Sequence, residues 1–253
     1  MKIVSWNVNS IKARLEHVKR YLNEEDPDVL MIQELKGLEF PTSEFENIGY
    51  KSHAVTQKAY NGVAIISKHH INIELDHLPN DGNDEQARYI EADINNLRVI
   101  NIYLPNGNPV PDSKYDYKLE WMERLYKRLK YLRDNDISFI IGGDFNVIPE
   151  DKDCYSPSNW EGDALFRPET HAAYRALLNL GLTDAFRVFN TKDKQYTFWD
   201  YQAGAWQKNN GIRIDHFLLS PLMADRLNGC AINKSPRGWD RPSDHTPIEI
   251  IIE

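Results

Sequence analysis

Ile137-Ser138-Phe139-Ile140-Ile141 runs directly into Gly142-Gly143-Asp144-Phe145-Asn146-Val147. The first five residues form a short apolar run closed by turn-forming glycines, the pattern of a buried strand rather than a helix. An acid and an amide follow where the strand gives out. In α/β sheets ligand sites are commonly built at strand ends, so this junction reads as a candidate strand and a candidate site together.

The same construction recurs along the chain. Lys2 to Trp6 is a strand candidate followed by Asn7, and Val29 to Ile32 ends abruptly in Gln33-Glu34. Leu97 to Leu104 carries Tyr103 near its end, Ile212 to Ser220 carries Asp215, and Ser243-Asp244-His245 stands just before Pro247 to Ile252. Gly62 to Ser67 and Arg88 to Ile94 are further strand candidates. Helices are expected between them. Ser10 is a suitable N-cap for a helix carrying Ile11, Leu15, Val18 and Leu22, which Asp26-Pro27-Asp28 stops. From Lys114 to Arg133, the residues Leu119, Met122, Leu125, Leu129 and Leu132 keep the spacing of an amphipathic helix. Pro168 opens another, to Leu180, and a short one follows Pro221. With no low-complexity tract, long linker or obvious internal repeat, residues 1–253 are read as one α/β domain. Taken alone, this alternation suggests a simple doubly wound sheet.

A balance of 41% hydrophobic and 27% charged residues is that of a globular chain and excludes a disordered or collagen-like one. Cys154 and Cys230 have neither zinc-site spacing nor the density of a disulfide scaffold, so reduced thiols are expected. The N-terminus turns polar after a few residues and lacks the apolar core of a signal peptide, which points to a cytoplasmic protein without a membrane partner. With 30 basic against 38 acidic residues the formal net charge is −8, so nucleic-acid binding requires a local basic face.

The strand ends collect Asn7, Glu34, Tyr103, Asp144, Asn146, Asp215, Asp244 and His245. Hydrolysis of a phosphodiester needs an activated water, neutralised phosphoryl oxygens and relief of charge on the leaving oxygen. Glu34 and Asp244 offer the hard oxygen ligands that Mg²⁺ prefers. Asp215 beside His245 would orient and protonate an imidazole for a phosphate oxygen. Asp144 is left to orient or deprotonate water, while Asn7, Tyr103 and Asn146 would donate hydrogen bonds where charge grows.

Seven strings carry a resemblance: Ser5-Trp6-Asn7-Val8-Asn9, Ile32-Gln33-Glu34, Tyr103-Leu104-Pro105-Asn106-Gly107, Gly142-Gly143-Asp144-Phe145-Asn146-Val147, Tyr196-Thr197-Phe198-Trp199, Arg213-Ile214-Asp215 and Ser243-Asp244-His245. In this order and spacing the chain resembles exonuclease III and the abasic-site endonucleases related to it, over nearly its whole length. The resemblance implies a four-layered α/β sandwich, two mixed β-sheets packed face to face with helices on the outside. It implies a metal at Glu34, assisted by Asp244, water activation by Asp144, and Asp215 orienting His245. Mg²⁺ is the implied cofactor, with Mn²⁺ able to stand in.

The implied activities are incision on the 5′ side of an abasic site, 3′→5′ exonuclease and 3′-end trimming, acting as a monomer on double-stranded DNA with abasic sites or blocked 3′ ends. Phe198, Trp199, Trp206, Ile212, Arg213 and Ile214 fall in the segment resembling the lesion pocket, with Asn9 as a further substrate contact. Ile212 stands where animal abasic endonucleases carry tryptophan, and Asn9 where they carry aspartate. Lys114, Lys118, Arg213, Arg237 and Arg241 are candidates for a phosphate-tracking face. Two rival readings share the chemistry or the fold: a phosphatase or phosphodiesterase of the same superfamily acting on a small phosphoester, and a lesion-binding protein without turnover. The Tyr-Leu-Pro-Asn-Gly string and the aromatic segment before Arg213 favour DNA. Retention of Glu34, Asp144, Asp215 and His245 together favours an enzyme.

Overall fold

A computed structural model describes residues 1–79 and 83–253. In chain order, β1 (Lys2–Asn7), α1 (Ile11–Glu25), β2 (Val29–Gln33), α2 (Thr42–Glu46), β3 (Lys51–Val55) and β4 (Val63–Ser67) come first. They are followed by β5 (Asn72–Leu75), β6 (Tyr89–Ile94), β7 (Leu97–Tyr103), α3 (Ser113–Asp134) and β8 (Phe139–Asp144). The last part holds α4 (Pro168–Leu178), β9 (Thr183–Asp184), α5 (Ala185–Phe189), α6 (Ala205–Lys208), β10 (Asp215–Leu219), α7 (Pro221–Asp225), β11 (Leu227–Ile232) and β12 (Ile248–Ile252).

The strands form two six-stranded sheets, ordered β11-β12-β1-β2-β4-β3 and β5-β6-β7-β8-β10-β9. In each, the central pair is parallel, β1 with β2 and β7 with β8, and every other neighbour is antiparallel. The helices α1 and α3 are the crossovers that these two parallel pairs require. The two sheets thus share one pairing plan, although the sequence shows no repeat.

Strand periodicity explains why the sheets stack. Ile3, Met31, Val99, Ile140 and Phe217 lie in one core cluster with residues of both sheets. Their neighbours one residue on face the other way: Val4 and Ile32 join Val18 and Leu22 of α1, while Ile100, Ile141 and Leu218 join Leu125 and Leu129 of α3. Strands apolar on both faces need cover on both, which gives helix, sheet, sheet, helix. This corrects the simple doubly wound sheet and agrees with the four layers implied by resemblance. Between the sheets, next to the apolar layer, lies a polar one. Gln33 Nε2 donates to Asn101 Oδ1 at 2.7 Å and to Ser5 Oγ at 3.1 Å, and Asn101 Nδ2 donates to Ile32 O and Ala64 O.

Several expected boundaries move. The strand opening the sequence reading begins at Phe139 and continues through both glycines to Asp144. Gly143 has φ +148, and a Cβ there would lie 2.0 Å from the Ile102 carbonyl oxygen, so the close approach of β7 to β8 requires glycine. The strand expected over Ile212 to Ser220 is only Asp215–Leu219, because Ile212 bridges instead to Cys154 and Phe198. The helix expected to reach Leu180 ends at Leu178. Strands β3, β5, β9 and β11, absent from the sequence reading, are the four sheet edges.

Candidate active site

Register assembles the site. Asp144 of β8 pairs with Tyr103 of β7 on one side and Asp215 of β10 on the other. Strands ~4.8 Å apart in register point such residues to one face, here the face carrying Val99, Ile140 and Phe217 toward the opposite sheet. From that sheet, Asn7 ends β1 on the same inward side as Ile3 and Ser5. Strict alternation after Gln33 would send Glu34 outward; instead the backbone turns left-handed there (φ 57). The turn brings its carboxylate back over the inner face, where Asn7 Nδ2 reaches Glu34 Oε1 at 3.0 Å and Asp144 Oδ2 at 2.9 Å. Tyr103 donates its hydroxyl to the same Glu34 oxygen at 2.8 Å.

His245 arrives from the segment before β12. Ser243 Oγ donates to Asn7 O at 2.8 Å and accepts from His245 N, tying that segment to the end of β1. The imidazole Nδ1 lies 2.8 Å from Asp215 Oδ2, and Nε2 lies 3.7 Å from Asp144 Oδ2. Burial opposes the charge of His245, but the Asp215 and Asp144 carboxylates outweigh it and raise the imidazole to about 10. It is therefore an imidazolium at neutral pH, both nitrogens donating. Burial, with Asp215 and Glu34 adding to it, pushes Asp144 up to about 7 against the pull of His245. Asp144 thus titrates near neutrality, where a carboxylate can take a proton from water and release it again. Burial also keeps the Tyr103 phenol protonated.

The side chains surround a cavity of about 260 Å³. Glu34, Tyr103, Asp144, Asn146, Asp244 and His245 supply its polar lining, and Phe198, Ile212 and Ile214 an apolar wall. Asn7 and Asp215, both fully buried, lie behind the lining. Asn7 and Tyr103 donate to the carboxylates rather than into open space, and Asn146 Nδ2 donates to Leu104 O. Their expected role as donors to the phosphate is revised accordingly: in this state they hold the acids. Asn146 N also donates to Asp144 Oδ1 at 2.9 Å.

Oxygen atoms of Glu34 and Asp144 and a nitrogen of His245 lie within 4.8 Å of one another. Burial would raise Glu34, but the Lys36 ammonium, 2.7 Å from Oε2, and the Asn7 amide hold it below the usual carboxylate range. An exposed, displaceable ammonium on a carboxylate marks a place suited to a cation, and two hard carboxylates fit a divalent one. Asp244 lies outside this compact group, accepting from Asn9 Nδ2 at 3.0 Å.

Other expected contacts are placed elsewhere. Arg213 is buried, its guanidinium held by Asp153 at 2.6 Å and Asp184 at 2.9 Å, so it neither lines the cavity nor tracks phosphates. A buried guanidinium must be paired, and these acids satisfy it. Trp199 is fully buried and donates to Asn209 Oδ1, with Trp206 packed edge-on at 4.8 Å; both support the pocket segment from behind. Arg237 is buried and donates to Trp199 O, and Lys118 is buried within α3's packing. Lys114 does line an open groove of about 560 Å³ that shares Tyr103, Asn106 and Asn108 with the cavity and also holds Arg88. Arg241 is exposed. The sequence reading missed Asn108, Trp160, Leu165 and Asp200 in the cavity lining, loop residues with no local signal. Asn106, next to Pro105 in the loop after β7, lines the cavity as well.

Two mixed sheets carrying paired carboxylates and a buried imidazolium in one cavity define a phosphoester hydrolase. A family model, the Endonuclease/Exonuclease/phosphatase family, matches residues 4–245. The chain is 33% identical to exodeoxyribonuclease III of Haemophilus influenzae over 98% of each chain. It is 30% identical to an exodeoxyribonuclease of Bacillus subtilis over 100% of this chain and 99% of that one. Among solved structures, an AP endonuclease from Archaeoglobus fulgidus superposes with a TM-score of 0.95 at 37% identity, covering 100% of this chain and 99% of that one. The 3′ phosphatase NExo from Neisseria, bound to a product DNA hairpin, superposes with a TM-score of 0.95 at 36% identity, with the same coverage. The chain belongs to the Endonuclease/Exonuclease/phosphatase family, within its exonuclease III and AP endonuclease branch, and is a nuclease.

Proposed function

We propose that this protein is a Mg²⁺-dependent repair nuclease, with Mn²⁺ able to replace Mg²⁺, that cuts duplex DNA 5′ to abasic sites and trims 3′ ends. The observation that carries this reading is the meeting, in one cavity of about 260 Å³, of an acid–imidazolium floor with the apolar wall of Phe198, Ile212 and Ile214. A phosphate needs the first, and a sugar without its base, flipped out of the duplex, suits the second. Incision beside such a sugar and removal of groups from a 3′ end place the same phosphoester over the same floor.

In this reading His245, charged and aimed by Asp215, hydrogen-bonds a phosphoryl oxygen, and Asp144 takes the proton of the attacking water. Asn7 keeps the Asp144 and Glu34 carboxylates apart and oriented, and Tyr103 braces Glu34. A divalent cation at Glu34, with Asp244 assisting at the rim, would neutralise phosphoryl charge and ease departure of the leaving oxygen. Asn9, joined to Asp244 and within 2.5 Å of Lys36 Nζ, flanks the entering strand. The groove carrying Lys114 and Arg88 offers basic cover for the adjoining backbone despite the negative total. In this reading the protein acts as a monomer in the cytoplasm.

The test is a labelled duplex with one abasic analogue, and a second with a blocked 3′ end, each incubated with Mg²⁺ or chelator. The expected products are 3′-hydroxyl ends cut 5′ to the lesion, lost on chelation. Turnover of small phosphoesters with both duplexes left intact would overturn the reading.

A further inference from the structure

Lys118 lies on the buried side of α3, beside Met122 and Leu125, and is itself fully buried. No carboxylate pairs with it among the described ion pairs. Its ammonium instead donates to three main-chain carbonyls: Asn146 O at 2.7 Å, Asn106 O at 3.0 Å and Ala164 O at 3.1 Å. Three N–H groups meet three acceptors, so the group is fully satisfied without a counter-charge.

The acceptors belong to three stretches of chain: Asn106 in the loop after β7, and Asn146 and Ala164 near the two ends of the long connection from β8 to α4. Each stretch contributes to the cavity lining, through Asn106, Asn146 and Leu165. These stretches also bond directly to one another, through Asn106 Nδ2 to Asn146 Oδ1, Asn146 Nδ2 to Leu104 O, Ala164 N to Asn108 Oδ1, Asn108 Nδ2 to the Asp163 carboxylate and Ile148 N to Leu165 O, but among the described residues Lys118 is the one side chain whose donors reach all three of them at a single atom. Gly107 closes over the lysine stem; with φ +90 and a Cβ that would fall 2.7 Å from Lys118 Cδ, the turn is shaped around this side chain. From the node a short path reaches the chemistry: Lys118 holds Asn146 O, and Asn146 N donates to Asp144 Oδ1.

An apolar residue would fill this position among the α3 leucines at less desolvation cost, since burying an ammonium is expensive even when it is hydrogen-bonded. Burial pushes the amine down to about 7, against the smaller raising effects of Asp163 and Asp144. A group maintained at such cost is serving something other than core packing.

We propose that Lys118 is a positioning residue: its buried ammonium ties the loop after β7 to both ends of the β8–α4 connection at one point and, through Asn146, sets the orientation of the Asp144 carboxylate. The proposal rests on the role given to Asp144 above. Lys118 touches no substrate, so its loss acts on the rate of the bound complex and leaves binding nearly intact.

The experiment compares wild type with Lys118→Met, which keeps the stem without the donors, and Lys118→Arg, which keeps the charge and donors. Single-turnover cleavage at saturating enzyme, dissociation constant and melting temperature are measured on an abasic duplex and on a 3′-phosphorylated duplex. The expected result is a rate about 10- to 100-fold lower for Lys118→Met, the size that a small misplacement of a reacting group produces. Its dissociation constant should stay within about threefold of wild type, and Lys118→Arg should recover at least part of the rate. A folded Lys118→Met cleaving at the wild-type rate would overturn the proposal. So would rate and affinity falling together with no recovery by arginine, which is the mark of general collapse of the loops. If Lys118→Met does not fold, the arginine variant decides alone, since a rate and affinity both lowered in step would again overturn it. A wild-type protein inactive on one duplex would bear on the proposed substrate, whereas only differences between variant and wild type bear on Lys118.

Discussion

His245 Nε2 lies 3.7 Å from Asp144 Oδ2, a contact made across the two sheets, between the end of β8 and the segment leading into β12. On its other side His245 Nδ1 lies 2.8 Å from Asp215 Oδ2. An imidazolium between two carboxylates holds one acid as its orienting partner and leaves the other to exchange protons with water.

Asp144→Asn and His245→Ala should each lower single-turnover hydrolysis at least ~100-fold, the scale of losing acid–base or oxyanion help. Binding of an abasic duplex, followed by fluorescence anisotropy, should persist in both. Near wild-type rates in both variants would remove the roles assigned here.

The Asp215 carboxylate should keep His245 charged in the metal-free protein. Because the folded imidazole is raised to about 10 from the ordinary histidine value of 6.5, its NMR shifts should remain those of an imidazolium across neutrality and change only in alkaline solution. In Asp215→Asn the titration should move down toward the ordinary histidine range. An imidazole already neutral at pH 8 in the wild type would contradict the arrangement.

Asp144→Asn should stabilise the fold while disabling it. A carboxylate whose folded pKa is raised, from 3.8 to about 7, binds its proton more tightly folded than unfolded. The folded state therefore loses stability as pH rises between those values, and the loss is complete above the folded one. The variant should melt higher than wild type at pH 8, by roughly 2–4 °C per kcal/mol relieved. The difference should shrink toward pH 4. Equal melting temperatures at pH 8 would count against the raised value.

Glu34→Gln should weaken the dependence on divalent cation without unfolding the chain. Cleavage titrated with Mg²⁺ should need at least ~10-fold more metal than wild type, consistent with losing a ligand's charge. Chelation should abolish cutting by the wild type, and Mn²⁺ should restore it. An unchanged Mg²⁺ titration would place the cation elsewhere.

Gly143→Ala should be severe although it adds one methyl group. The Cβ would meet the Ile102 carbonyl oxygen at 2.0 Å, so β7 and β8 must separate at the register that aligns Tyr103 with Asp144. A loss of more than about 4 kcal/mol in urea unfolding is expected, as for backbone strain that cannot relax. A variant within 1 kcal/mol of wild type, roughly the median for point changes, would show that the strands can shift.

The sequence reading found the eight strands that lie inside the sheets and missed β3, β5, β9 and β11 at their edges. Interior strands such as β2 and β4 are buried at every position and so appear as unbroken apolar runs. Edge strands such as β5 are half-exposed instead: Ile73 and Leu75 alternate with the exposed Asn72 and Glu74, a period-two signal that a reading for unbroken apolar runs passes over. Charge misled for a related reason. Lys118, Arg213 and Arg237 look like surface residues because composition carries no information about which cations will find buried partners.

By itself the sequence determined that acids, amides and an imidazole stand at successive strand ends, since apolar runs stop where the chain must turn and polar groups can face a cavity. It determined the Ser10 helix cap and Gly143, whose lack of a side chain lets β7 approach β8. Only the tertiary structure decided that two sheets, not one, bring those ends together, and that Tyr103, Asp144 and Asp215 lie side by side. Only it turned Glu34 back over the inner face and buried the Lys118 ammonium beneath the loops. These depend on register and on which faces find cover, and both are settled by contacts between residues far apart in the chain, which no local pattern encodes.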